Sequence, residues 1–193
     1  MQVTDRKKVI VAISIIIVVI VSLVWFLMLK LPIVDLANRT NYYLAVMMNL
    51  NQTDTMNGMR ALFDGSYNYT ELLSWEHEKL VFTSGNIERH TDPLEILEYG
   101  KGRCQEFAIL CVSLCLVHGY QSRLVVDMYG DHCWTEIWLE DRWVHVDPSE
   151  MKVDDPYMYE RDWNKDLRLV YAFSDGSMED VTTHYRDGSS IDR

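Results

Sequence analysis

The chain has 193 residues, with 18 Lys+Arg against 29 Asp+Glu and a net charge of −11 at pH 7. Apolar residues make up 48% and charged residues 24%, a globular composition of a length that suits one domain better than two. The acidic balance argues against nucleic acid as a partner, since phosphate binding needs clustered Lys and Arg. The four cysteines at 104, 111, 115 and 133 include no Cys-x-x-Cys pair, which argues against a disulfide scaffold or a structural zinc site.

Residues Val9 to Leu29 form an apolar run of 21, interrupted only by Ser14 and Ser22. At ~1.5 Å per residue a helix of that length spans roughly 30 Å, the thickness of a bilayer core, so the run is expected to be a membrane anchor. A cleaved signal peptide would have a shorter apolar stretch and a small-residue cleavage site. Arg6, Lys7 and Lys8 precede the run and only Lys30 and Arg39 follow it closely. Positive charge tends to stay inside, so the N-terminus is expected to be cytoplasmic and the remainder outside. Sequons at Asn38, Asn51 and Asn68 fit that side. Beyond residue 30 the chain holds 14 Lys+Arg and 28 Asp+Glu, a net −14.

Residues 31–70 read as a stalk and leading helices, with Leu36, Tyr43, Met47 and Leu50 at helical spacing. Thr70 is a candidate cap for a helix to about Val81, and Asp92-Pro93 opens a short helix ended by Gly100-Lys101-Gly102. Cys104 to His118 is a strongly apolar helix closed by Gly119. Strands follow at Tyr120–Met128, His132–Leu139 and Arg142–Asp147, with Pro148 as terminator, and again at Leu167–Phe173 before an Asp175-Gly176 turn. Residues 186–193 read as a frayed tail. Helices first and an antiparallel sheet after make an α+β domain.

Cys104, at the start of a helix, is placed where the helix dipole lowers a thiol pKa. If Glu140-Asp141 is a two-residue hairpin turn, paired positions sum to 281. His132 then opposes Ser149 and shares a face with Asp147, a diagonal pair within reach. The spacing therefore permits a Cys104–His132–Asp147 triad of nucleophile, base and orienting carboxylate. Other readings coexist. Cys104 could be a buried small hydrophobe, and the three residues could hold a metal, although a fourth ligand is lacking. His145 shares the face of Asp147 and is a rival base. Cys111, Cys115 and Cys133 read as core, and His118 complements the end of its helix. Trp134, Trp138 and Trp143 read as sheet packing, or, if they line a cleft, as a platform for carbohydrate or peptide.

The blocks Gly102-Arg-Cys-Gln-Glu-Phe-Ala108, Gly119-Tyr-Gln-Ser-Arg-Leu-Val125, Asp131-His-Cys-Trp-Thr-Glu-Ile-Trp138 and Arg142-Trp-Val-His-Val-Asp-Pro148 resemble the transglutaminase-like superfamily. Within it they are most similar to the catalytic core of peptide:N-glycanases. Asp155-Pro-Tyr-Met-Tyr-Glu160, Trp163-Asn-Lys165, Tyr171-Ala-Phe-Ser174 and Glu179-Asp-Val-Thr182 continue the likeness, which covers roughly 92–185. The resemblance implies a papain-like fold, Cys104 as nucleophile, His132 as general base, Asp147 as its orienting carboxylate and an amide bond as target. It implies an oxyanion site at the backbone N–H of Cys104 and an upstream side chain, for which Trp75 is the candidate. The glycanases are soluble and carry paired Cys-x-x-Cys zinc motifs; this chain has an anchor-like run and no such pair.

The expected organisation is thus a tip and transmembrane anchor over 1–30, a stalk with leading helices over 31–70, and a catalytic domain over 71–193. The resemblance favours cleavage of glycan–asparagine amides. A cysteine protease or protein cross-linking acyltransferase with the same triad is the alternative, and a non-catalytic surface binding domain is the third reading. The expected partners are a protein, glycoprotein or peptide substrate and a lipid bilayer along residues 9–29. No cofactor, metal or nucleic acid is expected.

Overall fold

The computed structural model describes residues 3–186, with 3–15 and 23–33 described through the backbone alone. Two compact units divide the chain, Met1–Asn41 and Tyr42–Arg193. Helix α1 runs from Val3 to Leu50, and its backbone stays helical through Pro32, where a stalk was expected to begin. A proline forfeits one helical hydrogen bond, and here the flanking turns carry the helix past it. Ile16 to Val21 are exposed. Among the described residues no helix is long and apolar enough to cross a membrane. The expected span at 9–29 lies largely outside the described side chains. The tail expected at 186–193 lies outside the described residues from 187 on.

In the second unit, the end of α1 buries Tyr43, Val46, Met47 and Leu50. Helices α2 (Thr53–Arg60), α3 (Tyr69–Lys79) and α4 (Pro93–Tyr99) follow, with β1 (Val81–Phe82) pairing in parallel with β2 (Lys101–Gly102). Asn68, not Thr70, caps α3. Its side chain accepts from the N–H groups of Thr70 and Glu71, and Glu71 accepts in return from the N–H of Asn68. Asn is the better cap because its carbonyl oxygen reaches two orphan donors at once.

Helix α5 (Cys104–Val117) is buried from Cys104 to Cys115. It is apolar all round because strands cover one side and α2, α3 and α4 pack on the other. Each of its Leu, Ile, Val and Phe side chains contributes about 1.5–3 kcal/mol by burial. Gly119, at φ 86°, ends it: the N–H of Tyr120 reaches the Cys115 carbonyl and that of Gly119 the Leu116 carbonyl.

The six-stranded sheet is antiparallel, in the order β6-β5-β4-β3-β7-β8. Its strands are β3 (Ser122–Asp127), β4 (Cys133–Leu139), β5 (Arg142–Asp147), β6 (Lys152–Val153), β7 (Val170–Ser174) and β8 (Ser177–Asp180). Helix α6 (Met158–Trp163) lies between β6 and β7 in the chain. Strand β7 begins three residues later than the sequence suggested, and β8 closes a hairpin over Asp175-Gly176. The β4–β5 hairpin turns on Glu140 and Asp141, both with left-handed φ, and Glu136 pairs with His145 and Trp138 with Trp143. Every β4–β5 pair sums to 281, the register derived above. Alternation then divides the residues between the two faces. Cys133, Thr135, Val144 and Val146 share the α5 face, where the Thr135 hydroxyl donates to the Ala108 carbonyl. Trp134, Glu136, His145 and Asp147 share the other, where Trp134 joins Tyr159, Tyr185 and Leu167 in a buried cluster.

Candidate active site

Cys104, His132 and Asp147 are brought together from three elements. Cys104 opens α5; Arg103 ahead of it donates its N–H to Glu106, tying down the first turn. His132 sits just before β4, on a turn whose Tyr129 and Gly130 N–H groups donate to the Asp127 carboxylate. Asp147 ends β5. The His132 Nε2 to Asp147 Oδ2 distance is 2.6 Å, and the Cys104 thiol lies 3.3 Å from the Asp131 carbonyl. All three are buried, Cys104 at 8% exposure and His132 at 6%.

The electrostatics favour a separated charge pair. Hydrogen bonding to Cys133, and then hydrogen bonding to His132 and its positive charge, outweigh burial and hold Cys104 down at about 4. Burial works against a charged His132, but the hydrogen bonds and negative charges of Asp147 and Cys104 lift it to about 9. Burial likewise opposes the Asp147 charge, yet His132, Ser149 and Tyr159 hold its pKa below the ordinary carboxylate value. Between these limits the pair is thiolate and imidazolium, ready for nucleophilic attack followed by proton donation. Among the described residues no cluster of three or more His, Cys, Asp or Glu could hold a metal ion.

Other expected residues fall elsewhere. His145 is on the Asp147 face but bonds to the Tyr159 hydroxyl at 2.7 Å; burial lowers its pKa to about 4. Cys133 is buried as expected, with its Sγ 3.6 Å from the Tyr43 hydroxyl, yet it also helps to hold down the Cys104 pKa. Because β4 turns its side chain toward α5, the residue next to His132 approaches the Cys104 thiol from the other side. Trp75 packs on Phe63 at 4.9 Å, and Phe63 lies edge-on to His118 at the far end of α5. Trp75 is thereby placed away from Cys104 and fails as the oxyanion donor. His118 caps α5 and its ring contacts the Leu114 carbonyl at 2.9 Å. Trp134 is core, and Trp138 and Trp143 pack on each other at 5.3 Å, with Arg123 4.0 Å from the Trp143 ring. The exposed ring against His132 is Trp163, edge-on at 4.9 Å. Its position depends on the tertiary packing of α6, which strand periodicity does not report.

Residues 54–148 match the family model described as the transglutaminase-like superfamily. This stretch is a transglutaminase-like core. The peptide-N(4)-(N-acetyl-beta-glucosaminyl)asparagine amidase of Arabidopsis thaliana is 43% identical over 105 residues, which are 53% of this chain and 14% of that protein. The enzyme of that name from Oryza sativa subsp. japonica is 45% identical over 96 residues (49% of this chain, 21% of that one). That of Homo sapiens is 39% identical over 104 residues (53% and 16%). The chain thus matches only 14–21% of the length of these relatives. The structure of Rad4–Rad23 bound to a 6-4 photoproduct UV lesion aligns with a TM-score of 0.60 at 12% identity, over 80% of this chain and 48% of that chain. At that identity the likeness is one of fold.

Proposed function

We propose that this chain is a membrane-anchored thiol amide hydrolase that cleaves the amide joining a glycan to an asparagine side chain. The observation that carries the reading is the Cys104–His132–Asp147 arrangement, 2.6 Å between its His and Asp, within a core about two-fifths identical to glycan–asparagine amidases. The Cys104 thiolate attacks the side-chain carbonyl, and the C=O electrons move to oxygen. The backbone N–H at the start of α5 is available to that oxyanion. His132 gives its proton to the departing glycosylamine, leaving a thioester. Neutral His132 then takes a proton from water, whose oxygen displaces the thiolate and leaves aspartate. Exposed Trp163 beside His132 offers an apolar face on which a sugar ring can stack.

The same thiolate chemistry would serve a peptide bond or transfer an acyl group to an amine, and the family description favours this as the second reading. The full chain in detergent is incubated with a glycopeptide, an unmodified peptide and a glutamine-plus-amine pair. Conversion of glycosylated Asn to Asp is expected. Backbone scission or amine incorporation without it would favour the second reading, and inertness in all three arms would reject both.

The anchor reading rests on the 21-residue apolar run, the basic residues before it and the exposed Ile16–Val21. Protease added outside intact cells is expected to remove the domain; protection would reverse the orientation.

A further inference from the structure

Asp147 accepts four hydrogen bonds. His132 and the Tyr159 hydroxyl (2.9 Å) both reach Oδ2, while the Ser149 hydroxyl (2.8 Å) and the Glu150 N–H (3.2 Å) reach Oδ1. Tyr159 is fully buried on α6 and is itself an acceptor, with His145 Nε2 at 2.7 Å from its oxygen. The Asp155 N–H donates to His145 Nδ1 at 3.4 Å. That contact settles the direction of the chain. With Nδ1 accepting, a neutral imidazole carries its proton on Nε2 and donates it to Tyr159, so the tyrosine's own proton points to Asp147.

From this geometry we infer that Tyr159 and His145 are positioning residues for the triad: a one-way chain of donors runs from the Asp155 backbone through His145 and Tyr159 to Asp147, and fixes the carboxylate that orients His132. The inference rests on the thiol-hydrolase reading given above. Tyr159 shares Oδ2 with His132, so it does two things. It stops the carboxylate from rotating away, and it draws electron density from the oxygen that holds the imidazolium. The surrounding charges are Asp147, Asp154 and Asp155 against His132, and burial keeps His145 neutral among them. Trp134, Tyr185 and Trp163 rings fill the remaining space around the two residues. Water therefore has little room to replace a lost donor.

The test uses the full chain and follows alkylation of Cys104 by iodoacetamide from below pH 4 to above pH 9, alongside glycopeptide turnover. In Tyr159→Phe, Oδ2 becomes more basic, so the alkaline limb of the turnover profile moves to higher pH, while turnover on the plateau falls about tenfold as the His132 ring loosens. A folded Tyr159→Phe whose profile and turnover match the wild type overturns the inference. A wild type with no reactive Cys104 at neutral pH overturns both this inference and the reading beneath it. A normal wild-type profile with an unmoved variant overturns this inference alone. If the variant does not fold, nitrogen-15 NMR of the wild type decides. His145 should stay neutral and protonated on Nε2 as pH rises from about 5, above its lowered value. A proton on Nδ1, or titration near an ordinary histidine pKa, overturns the chain of donors.

Discussion

Cys133, on the face of β4 opposite to that of its neighbour His132, acts together with it to hold down the pKa of the Cys104 thiol. The Cys104 thiol thus lies under the influence of two consecutive residues at the start of β4. Cys133→Ala removes the side-chain influence and leaves the thiolate with His132 and the backbone N–H of residue 133. The Cys104 pKa is expected to rise from about 4 by about one unit, since hydrogen bonds to a charged group are the strong kind. The acid limb of iodoacetamide reactivity moves to higher pH accordingly, with the alkaline limb of turnover little changed. An acid limb unmoved in the variant would show that Cys133 only fills space.

Activity should follow a bell in pH. As pH falls through about 4 the Cys104 thiolate takes up a proton and attack fails; as pH rises through about 9 His132 loses the proton needed by the leaving group. The plateau between them is wider than an isolated His and Cys would give. Turnover measured across this range, with stability checked at each pH, is the test. A single limb near pH 6.5 would mean that His132 is unpaired in solution.

Cys104→Ser should abolish turnover and leave the melting temperature close to wild type, because the change is small and local. Asp147→Asn should cost about 10⁴-fold in turnover by favouring the wrong imidazole tautomer. In that variant the Tyr159 hydroxyl and the Ser149 hydroxyl compete for an amide with one carbonyl oxygen in place of two acceptor oxygens. Thermal melts alongside kinetics separate the loss of chemistry from any loss of fold.

Gly130→Ala should destabilise the domain. A Cβ there would lie 1.8 Å from Asp127 Oδ2 and 2.6 Å from its Cγ, so the carboxylate must leave the turn it organises. Overpacking of this kind costs about 1–3 kcal/mol. The same turn carries the Asp131 carbonyl and His132, so turnover should fall further than stability alone requires. Urea melts paired with Cys104 alkylation rates measure both.

Much of the site was legible because its parts lie on short, local patterns. The two-residue turn at Glu140-Asp141 set the register, and the register put His132 and Asp147 on one face. Gly119 and Asp92-Pro93 marked helix ends by backbone chemistry that a sequence displays directly. The misses are tertiary. Trp75 lies upstream of Cys104 in the chain, but α3 presents it to Phe63 and the distant end of α5. Tyr159 joins Asp147 only because α6 folds back over the sheet, and nothing in the spacing of Tyr159 foretells that. Cys133 was read as core from strand alternation, which was correct as to burial. What it lacked was the position of α5 on that face.

Asn68 carries two kinds of information in one amide. The cap of α3 uses its Oδ1, which accepts from Thr70 and Glu71, whereas a glycan on the Asn68-Tyr-Thr70 sequon would be bonded through Nδ2. A sugar and the cap are therefore compatible. Removing the sequon through Asn68, however, also uncaps the helix and costs about 1 kcal/mol. Thr70→Ala removes the sequon and gives up only the 2.6 Å hydroxyl bond to Asn68. The two ways of removing this sequon are physically different, and only the second separates the contribution of a sugar at residue 68 from that of the helix cap.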